Sequence, residues 1–238
     1  MSERPGEQAS LPEGRLLVVM DVDSTFIRDE VIELIAAHAG TEAEVRAVTE
    51  AAMRGELDFA ESLRQRCATL AGLDVAVLDE VRRAVRLTRG ADSLVRELRS
   101  HGHAVALVSG GFAEIVDPLA ASHGIAHVRA NRLEVRGDRL TGRLQGDIVD
   151  RAGKERALRE FAEAEGIDLA HTVAIGDGAN DLDMLSTAAL GVAFCAKPLV
   201  RAQADATIDV PDLTAVLPLL GLGAGEEAGA SGVAKRRR

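Results

Sequence analysis

The chain has 238 residues, of which 47% are hydrophobic and 2% aromatic, and this predicts one domain, or one domain with an insertion, around an aliphatic core. A net charge of −10 argues against a nucleic-acid partner, and no run of roughly 18 apolar residues suggests a membrane span. The polar N-terminal stretch lacks the apolar segment of a secretory signal, so we expect a cytoplasmic protein. Cys67 and Cys195 lie in apolar contexts and are expected to be buried and unpaired.

The first predicted elements are a buried strand and a long helical block. Residues 16–22 are almost all apolar, which is typical of a strand covered on both faces. From about Asp29 to Leu87 the apolar residues recur at helical spacing, with a capping signal at Asp58 and Glu61. An all-helical block inserted after the first strand is predicted to form a cap.

Helical and strand patterns alternate along the rest of the chain. This alternation predicts an α/β fold, a Rossmann-like parallel sheet with helices on both faces, to which the helical cap is added. A hairpin is predicted near Gly137 and Asp138. The predicted boundaries are a core of residues 14–27 and 89–221, a cap of residues 28–88, and disordered tails at 1–13 and 222–238.

Two predicted strands end in pairs of carboxylates. Asp21 and Asp23 follow the first strand, and Asp177 and Asp181 follow a later one, "VAIGDGAND". Because ligands of such sheets bind at the carboxyl ends of the strands, we expect these side chains to share one crevice. Four carboxylates so close repel one another, and a hard divalent cation such as Mg²⁺ relieves the repulsion. A single Asp here could be an ordinary turn residue, but two pairs favour a metal site.

Further residues suggest an anion site at the same edge. Ser109, Gly110 and Gly111 end another strand and are expected to open a helix, where a hydroxyl and free N–H groups cradle an anion. Lys154 begins a predicted helix, where a cation is unfavourable without an anionic partner. Each feature alone could be an ordinary turn or a surface lysine. Together with Mg²⁺ they indicate phosphoryl chemistry, although no P-loop and no dinucleotide fingerprint is present.

These motifs resemble a known family. "DVDST", "VSGGF", Lys154 and "GDGANDLDM" resemble the four motifs of the haloacid dehalogenase superfamily and, more closely, those of its phosphoserine phosphatases, which the segment "VAFCAKP" also resembles. The resemblance extends over about Leu16 to Leu220. It implies Mg²⁺-dependent hydrolysis of L-phosphoserine to L-serine and phosphate through an aspartyl-phosphate, the last step of serine biosynthesis.

The resemblance also implies roles for residues of the core. Asp21 would be the nucleophile, and Asp23 the general acid and base. Asp21, the main chain of Asp23, and Asp177 would bind Mg²⁺. The phosphate would contact Ser109, Gly110 and Lys154, with Gly111, Asn180 and Asp181 in supporting positions and Asn180 also next to the substrate.

The cap is predicted to select the substrate. Arg66 shares a helix face with Phe59 and Leu63, so a cation interrupts an apolar stripe and needs a partner. The resemblance supplies the substrate carboxylate as that partner and makes Glu30 the residue that binds the substrate ammonium. Met53 and Phe59 would form an apolar wall. Without the resemblance, Glu30 could simply favour a helix N-terminus, and Met53 and Phe59 could be core residues.

Two other functions remain open at this point. A phosphate-accepting signalling module also uses strand-end aspartates and Mg²⁺, but it needs neither a helical cap nor Glu30 and Arg66. A phosphotransferase, or a phosphatase acting on another small phosphomonoester such as phosphohomoserine, fits the same motifs. The expected partner is a small-molecule substrate rather than a nucleic acid or a membrane, and the protein is expected to be a monomer or homodimer.

Overall fold

A mixed sheet organises the structure, a computed structural model that describes residues 13–53, 56–223 and 233–235. Its strands follow the spatial order β4-β3-β2-β1-β5-β6-β7-β8. The strands are β1 (Leu17–Asp21), β2 (Ala104–Phe112), β3 (His127–Arg136), β4 (Arg139–Gln145), β5 (Thr172–Gly176), β6 (Leu190–Phe194), β7 (Ala206–Ile208) and β8 (Val233–Lys235). The six strands from β3 to β7 in this order run parallel, and β4 and β8 are antiparallel at the two edges.

Strand β1 lies in the middle of the sheet and is buried along its whole length. Val18 and Met20 face one hydrophobic core, while Leu17 and Val19 face the core on the other side. Burial on both faces explains why the strand reads as a continuous apolar run. The predicted α/β class, with helices on both faces of a mainly parallel sheet, is confirmed.

The helices form two groups. Among the described residues, four lie between β1 and β2 within the range predicted for the cap, and the others cover the sheet. The helices are α1 (Val31–Ala39), α2 (Glu42–Met53), α3 (Phe59–Ala68), α4 (Val77–Ala84), α5 (Ala91–Ser100), α6 (Ala113–Ser122), α7 (Arg151–Glu165), α8 (Leu182–Thr187) and α9 (Pro198–Gln203). Asp58 caps α3 by accepting a hydrogen bond of 2.7 Å from the Glu61 N–H, as its position in the sequence predicts.

The two segments that join the cap to the core are paired with each other. Ile27 and Leu87 form an antiparallel bridge, and the N–H of Arg28 donates to the carbonyl of Arg86 over 2.9 Å. The Asp29 carboxylate accepts hydrogen bonds from both the backbone and the guanidinium of Arg86. The entry to the cap and its exit are therefore held side by side.

Backbone hydrogen bonds also join the cap to the β3–β4 hairpin. The N–H of Gly72 donates to the Leu140 carbonyl over 2.8 Å, and the N–H of Leu140 donates to the Leu73 carbonyl over 2.9 Å. A Cβ on Gly142 of β4 would lie 2.9 Å from the Cβ of Ala71, so the hairpin is in close contact with the segment after α3. The end of α3 is thus fixed to the core by backbone hydrogen bonds.

Two expectations from the sequence are corrected here. Val233–Lys235, inside the predicted disordered tail, pair with β7, whose edge otherwise offers unpaired backbone groups. Cys67 is buried as expected, but Cys195 is exposed, since its positive φ of 43° turns the chain at the end of β6.

Most of the two predicted tails lies outside the described residues. Within residues 13–53 and 56–223, no helix combines the length and the apolar character that crossing a membrane requires.

Candidate active site

The predicted site residues converge because they follow three adjacent strands. Asp21 ends β1, Ser109 to Gly111 lie at the end of β2, and Asp177 follows β5. These strands are neighbours in the order β2-β1-β5 and run parallel, so their carboxyl ends meet at one edge.

A tight helical turn, Val22–Phe26, separates the roles of the first two carboxylates. Ser24 adopts a left-handed conformation with φ 57°, which turns the chain directly after Asp23. Asp23 Oδ1 then accepts a hydrogen bond of 2.8 Å from the N–H of Val31, the first residue of α1. Its Oδ2 accepts one of 3.0 Å from Ser109 Oγ. Asp23 is therefore oriented by two donors, neither of which contacts Asp21.

Asp21 is paired instead with Lys154, whose side chain is fully buried. Lys154 Nζ donates to Asp21 Oδ1 and, over 2.6 Å, to Asp181 Oδ1. Burial disfavours the charged ammonium, but the charges of Asp181 and Asp21 outweigh it and raise the pKa of Lys154 above its ordinary value. The partner predicted for this lysine from its helix position is thus a pair of carboxylates.

Three carboxylates form a cluster that fits a divalent cation. Oxygens of Asp21, Asp177 and Asp181 all lie within 4.8 Å of one another. Both oxygens of Asp181 are already occupied, because Oδ1 accepts from Lys154 and Oδ2 from the N–H of Asp177 (3.1 Å) and of Gly178 (2.9 Å). This favours Asp21 and Asp177 as metal ligands and gives Asp181 a supporting position. Carboxylate oxygens at this spacing suit Mg²⁺.

The proton affinities of these groups reflect their burial and mutual repulsion. Burial, followed by the charge of Glu30, raises the pKa of Asp23 to about 6. Burial and Asp181 raise the pKa of Asp177 to about 7. Burial, with the charges of Asp181 and Asp177, also raises the pKa of Asp21 well above its ordinary value, against the opposing effect of Lys154. A divalent cation among these oxygens would favour their ionised forms.

The end of β2 differs in one respect from the predicted anion cradle. Helix α6 begins at Ala113 rather than at the glycines, and the Gly111 N–H already donates to Ser109 Oγ over 2.7 Å. This N–H is not a free helix-terminal donor, because the strand continues to Phe112 and the Ser109 hydroxyl folds back onto it. A Cβ on Gly111 would lie 2.5 Å from Asp23 Oδ2, so a larger residue would displace this carboxylate.

A cleft of about 650 Å³ opens between this edge of the sheet and the cap. Two groups of predicted residues border it, one from the core and one from the cap. They are Asp21, Asp23, Gly110, Gly111, Asp177 and Asn180 from the core, and Glu30, Phe59 and Arg66 from the cap. Ser109, Lys154 and Asp181 are fully buried at its base. The side chain of Met53 lies outside the described residues, so its predicted place in the apolar wall is not described.

The two cap charges are placed differently. Glu30 is exposed just before α1, and its carboxylate accepts a hydrogen bond of 2.6 Å from Ser24 Oγ. Arg66 is half-buried on α3, and burial lowers its pKa. Its Nε donates to the Ser62 carbonyl over 3.3 Å, and it forms no ion pair with any carboxylate among the described residues. The guanidinium therefore faces the cleft with capacity for an anionic ligand.

Some residues of the site were not singled out from the sequence. Thr25 Oγ1 lies 3.4 Å from Asp177 Oδ1, and Lys197 lines the cleft while its N–H donates to the Asp177 carbonyl over 3.2 Å. Both belong to segments that carry the family resemblance, "DVDST" and "VAFCAKP", so their position in the sequence could have revealed them. Asn131, buried in β3, contacts the Gly110 carbonyl and gives no comparable signal.

The fold and the site together define a capped α/β hydrolase with an aspartate at the end of its central strand. The chain belongs to the haloacid dehalogenase-like hydrolase family, whose sequence model matches residues 18–186. Within that family it is similar to phosphoserine phosphatases. A protein of that name from Streptomyces coelicolor is 61% identical over 206 residues, which cover 87% of this chain and 50% of the relative.

Other relatives match over nearly their whole length. A phosphoserine phosphatase from Streptococcus thermophilus is 50% identical over 204 residues, covering 86% of this chain and 95% of the relative. The structure of a phospho-aspartyl intermediate analogue of phosphoserine phosphatase superposes with a TM-score of 0.82 at 39% identity, covering 87% of this chain and 99% of that one. The chain thus spans about half the length of the Streptomyces relative but almost all of these two.

Proposed function

We propose that this protein is a Mg²⁺-dependent phosphoserine phosphatase that hydrolyses L-phosphoserine to L-serine and phosphate. The observation that carries the proposal is the pairing of Asp21 with the buried Lys154 beside a cluster of carboxylates, while Asp23 is held separately by Val31 and Ser109. Two carboxylates with separate partners suit two different chemical roles. The phosphoserine phosphatases to which the chain is similar support the substrate.

The proposed reaction has two transfers. Asp21 attacks the phosphorus atom of phosphoserine, the bond from phosphorus to the serine oxygen breaks, and Asp23 gives that oxygen a proton. The product on the enzyme is a phosphorylated Asp21. Asp23, now ionised, takes a proton from water as the water attacks the phosphorus and the bond from phosphorus to Asp21 breaks. This step releases phosphate, returns Asp21 to its carboxylate form and leaves Asp23 protonated again.

The residues of the cluster would hold Mg²⁺. Its ligands would be Asp21, Asp177 and a main-chain oxygen of Asp23, while Asp181 and Asn180 would order the surrounding shell. The cation would neutralise charge on the phosphate and favour the ionised nucleophile. The occupied oxygens of Asp181 support this division between ligands and supporting residues.

The phosphate would be oriented by Ser109, Gly110 and Lys154, with Gly111 providing space. Lys154 is suited to this role because its ammonium touches the attacking carboxylate, where the charge of the phosphate arrives. In the cap, Arg66 would bind the substrate carboxylate and Glu30 the substrate ammonium. An apolar wall of Phe59 and Met53 would close the cleft.

The test is release of phosphate from a panel of phosphomonoesters by the wild-type protein and by Asp21→Asn. We expect L-phosphoserine to be the best substrate and Asp21→Asn to lose nearly all turnover, because an amide cannot serve as the nucleophile. Trapping of phosphate on Asp21 by rapid quench supports the covalent route. Full activity of Asp21→Asn, or a stronger reaction with an unrelated ester, would overturn the proposal.

We also propose that the protein acts in the cytoplasm, in serine biosynthesis, as a monomer or homodimer. Its only partner in this proposal is a small molecule, with neither a nucleic acid nor a membrane involved, and the net charge of −10 supports the absence of nucleic acid. Cell fractionation and light scattering of the purified protein test the location and the oligomeric state.

A further inference from the structure

Asn131 of β3 is a buried amide with both ends in use. Its side chain is 2% exposed, its Nδ2 donates to the Gly110 carbonyl over 2.8 Å, and its Oδ1 accepts from the Val149 N–H over 2.8 Å. Since one partner accepts and the other donates, a single orientation of the amide satisfies both. The side chain therefore links two backbone segments that lie 21 and 18 residues away from it along the chain.

The hydrogen bond from Asn131 Nδ2 fixes the peptide between Gly110 and Gly111. The carbonyl of this peptide accepts from Asn131, and its N–H donates to Ser109 Oγ over 2.7 Å. With its oxygen accepting that hydrogen bond, the Ser109 hydroxyl is left to donate its hydrogen to Asp23 Oδ2, 3.0 Å away. A continuous series of hydrogen bonds thus runs from Asn131 to Asp23, and each donor in it points the same way.

The other hydrogen bond, which Asn131 Oδ1 accepts from the Val149 N–H, connects Asn131 to the segment that carries Lys154. Val149 immediately precedes Asp150, whose carboxylate caps α7 by accepting from the Gly153 N–H over 2.8 Å. Lys154 lies on the first turn of that helix and touches Asp21. Asn131 therefore holds the phosphate cradle and the entry to the lysine helix in fixed relation.

We propose that Asn131 is a positioning residue for the phosphoryl transfer, which orients the Asp23 carboxylate through the Gly110–Gly111 peptide and the Ser109 hydroxyl. This inference rests on the proposed function, because it assigns Asp23 the protonation of the leaving oxygen. An aliphatic residue would leave the Gly110 carbonyl and the Val149 N–H unsatisfied. Aspartate keeps the size and the acceptor but places a second acceptor against the carbonyl.

The experiment compares Asn131→Asp with the wild-type protein on two substrates, L-phosphoserine and p-nitrophenyl phosphate. The alkyl leaving group of phosphoserine needs a proton, whereas nitrophenolate leaves without one. We measure kcat/KM because it reports only the steps up to departure of the leaving group. The expected loss is about 30- to 100-fold on phosphoserine and only a few-fold on p-nitrophenyl phosphate.

A matched control removes packing from the same strand without touching the network. Leu133 is buried in β3, and Leu133→Ala should lower the melting temperature while reducing both activities to a similar, small extent. Each variant is assayed well below its own melting temperature. If Asn131→Asp does not fold, the smaller and neutral Asn131→Ser is measured in the same way.

A double-mutant cycle with Ser109→Ala tests whether Asn131 acts on Asp23 through the Ser109 hydroxyl. If Asn131 acts through Ser109, the double variant should lose little more phosphoserine activity than Ser109→Ala alone. Equal losses on the two substrates, or fully additive losses in the cycle, would overturn the positioning role and leave Asn131 as a purely structural residue. A wild-type protein that hydrolyses neither substrate would instead refute the proposed function, so the two failures are distinguishable.

Discussion

The phenyl ring of Phe59, on the cap, approaches the backbone of Gly110, in the core, with its Cζ edge. A Cβ added to Gly110 would come within 2.8 Å of Phe59 Cζ, which is far closer than two carbons approach without bonding. The cap therefore touches the backbone that is predicted to contact phosphate, and the glycine makes this contact possible.

Gly110→Ala should displace Phe59 and with it the cap. We expect kcat/KM for phosphoserine to fall by about tenfold or more, because a small misplacement of substrate-positioning groups is costly. Phe59→Ala in the same protein should recover part of the loss by giving the new methyl group space. Steady-state kinetics of both single variants and the double variant measure the coupling, and strictly additive losses would contradict this account of the contact.

Lys154 supplies the positive charge that compensates two buried carboxylates. Lys154→Met leaves Asp21 and Asp181 without it, and such uncompensated buried charge costs about 3–5 kcal/mol of unfolding free energy. The exposed Lys197→Met is a matched control and should change the stability by less than about 0.5 kcal/mol. Urea denaturation in chelator measures both. Equal stability of the two variants would show that another group compensates the negative charge of the two carboxylates.

Much of the core could be predicted from the sequence because its signals are local. The apolar run of β1 reflects burial on both faces, and the carboxylates after it lie at the strand edge where parallel sheets bind ligands. Asp21, Ser109 and Asp177 could therefore be placed at one edge of the sheet, because each lies at the end of a predicted strand. The helix position of Lys154 by itself also fits a surface lysine, because its two carboxylate partners come from distant segments.

The remaining features depend on contacts between segments far apart in the chain. The importance of Asn131 comes from the Gly110 carbonyl and the Val149 N–H, and nothing in the strand around it indicates either. The hydrogen bond between Gly72 and Leu140 joins two backbone groups, and no residue type specifies it. Cys195 was expected to be buried because the strand before it is apolar, but a local left-handed turn exposes it.

The acidic cluster predicts a response to metal that does not depend on turnover. Mg²⁺ should raise the melting temperature, since a ligand that binds only the folded state stabilises it by about 2.7 kcal/mol at 100 times its dissociation constant. Asp177→Asn should weaken this response, because both oxygens of Asp181 already accept hydrogen bonds and Asp177 is the better placed ligand of the two. Differential scanning calorimetry with and without Mg²⁺ measures the shift. Chelator should also stop phosphate release, and an unchanged rate in excess chelator would contradict a metal site.

The pairing of Asp29 with Arg86 predicts a pH dependence of stability at the base of the cap. Burial alone would raise the pKa of Asp29, but the hydrogen bonds and charge of Arg86 outweigh it, and the pKa lies below its ordinary value. A lowered pKa in the folded state adds stability above the unfolded pKa of about 3.9, and this contribution disappears as the pH falls through the folded value.

Arg86→Ala should therefore destabilise the protein most between about pH 5 and pH 7, and the difference from the wild type should shrink below about pH 4. Arg96→Ala, which breaks an exposed pair with Asp92 on α5, is the control and should change little at any pH. Urea midpoints across this range measure both differences. A difference for Arg86→Ala that stays constant down to about pH 2 would refute the electrostatic origin.

The two cap charges should affect phosphoserine far more than an ester that lacks the amino-acid group. Arg66 is half-buried and unpaired among the described residues, so Arg66→Ala should lower kcat/KM for phosphoserine by about thirty-fold or more, the equivalent of losing a desolvated charge pair. Glu30 is exposed and already bonded to Ser24, so Glu30→Ala should cost less. Arg66→Glu should be worse than Arg66→Ala, because two carboxylates would then meet.

The comparison substrate for these variants is p-nitrophenyl phosphate, which offers neither an ammonium nor a carboxylate. Its hydrolysis should change by no more than a few-fold in Arg66→Ala, because that ester has no carboxylate for Arg66 to bind. Arg64→Ala, on the exposed side of α3, is the control that should leave both reactions nearly unchanged. If Arg66→Ala lowered both reactions equally, Arg66 would be stabilising the cap itself. The assignment of phosphoserine would then rest on similarity to relatives rather than on the chemistry of the cleft.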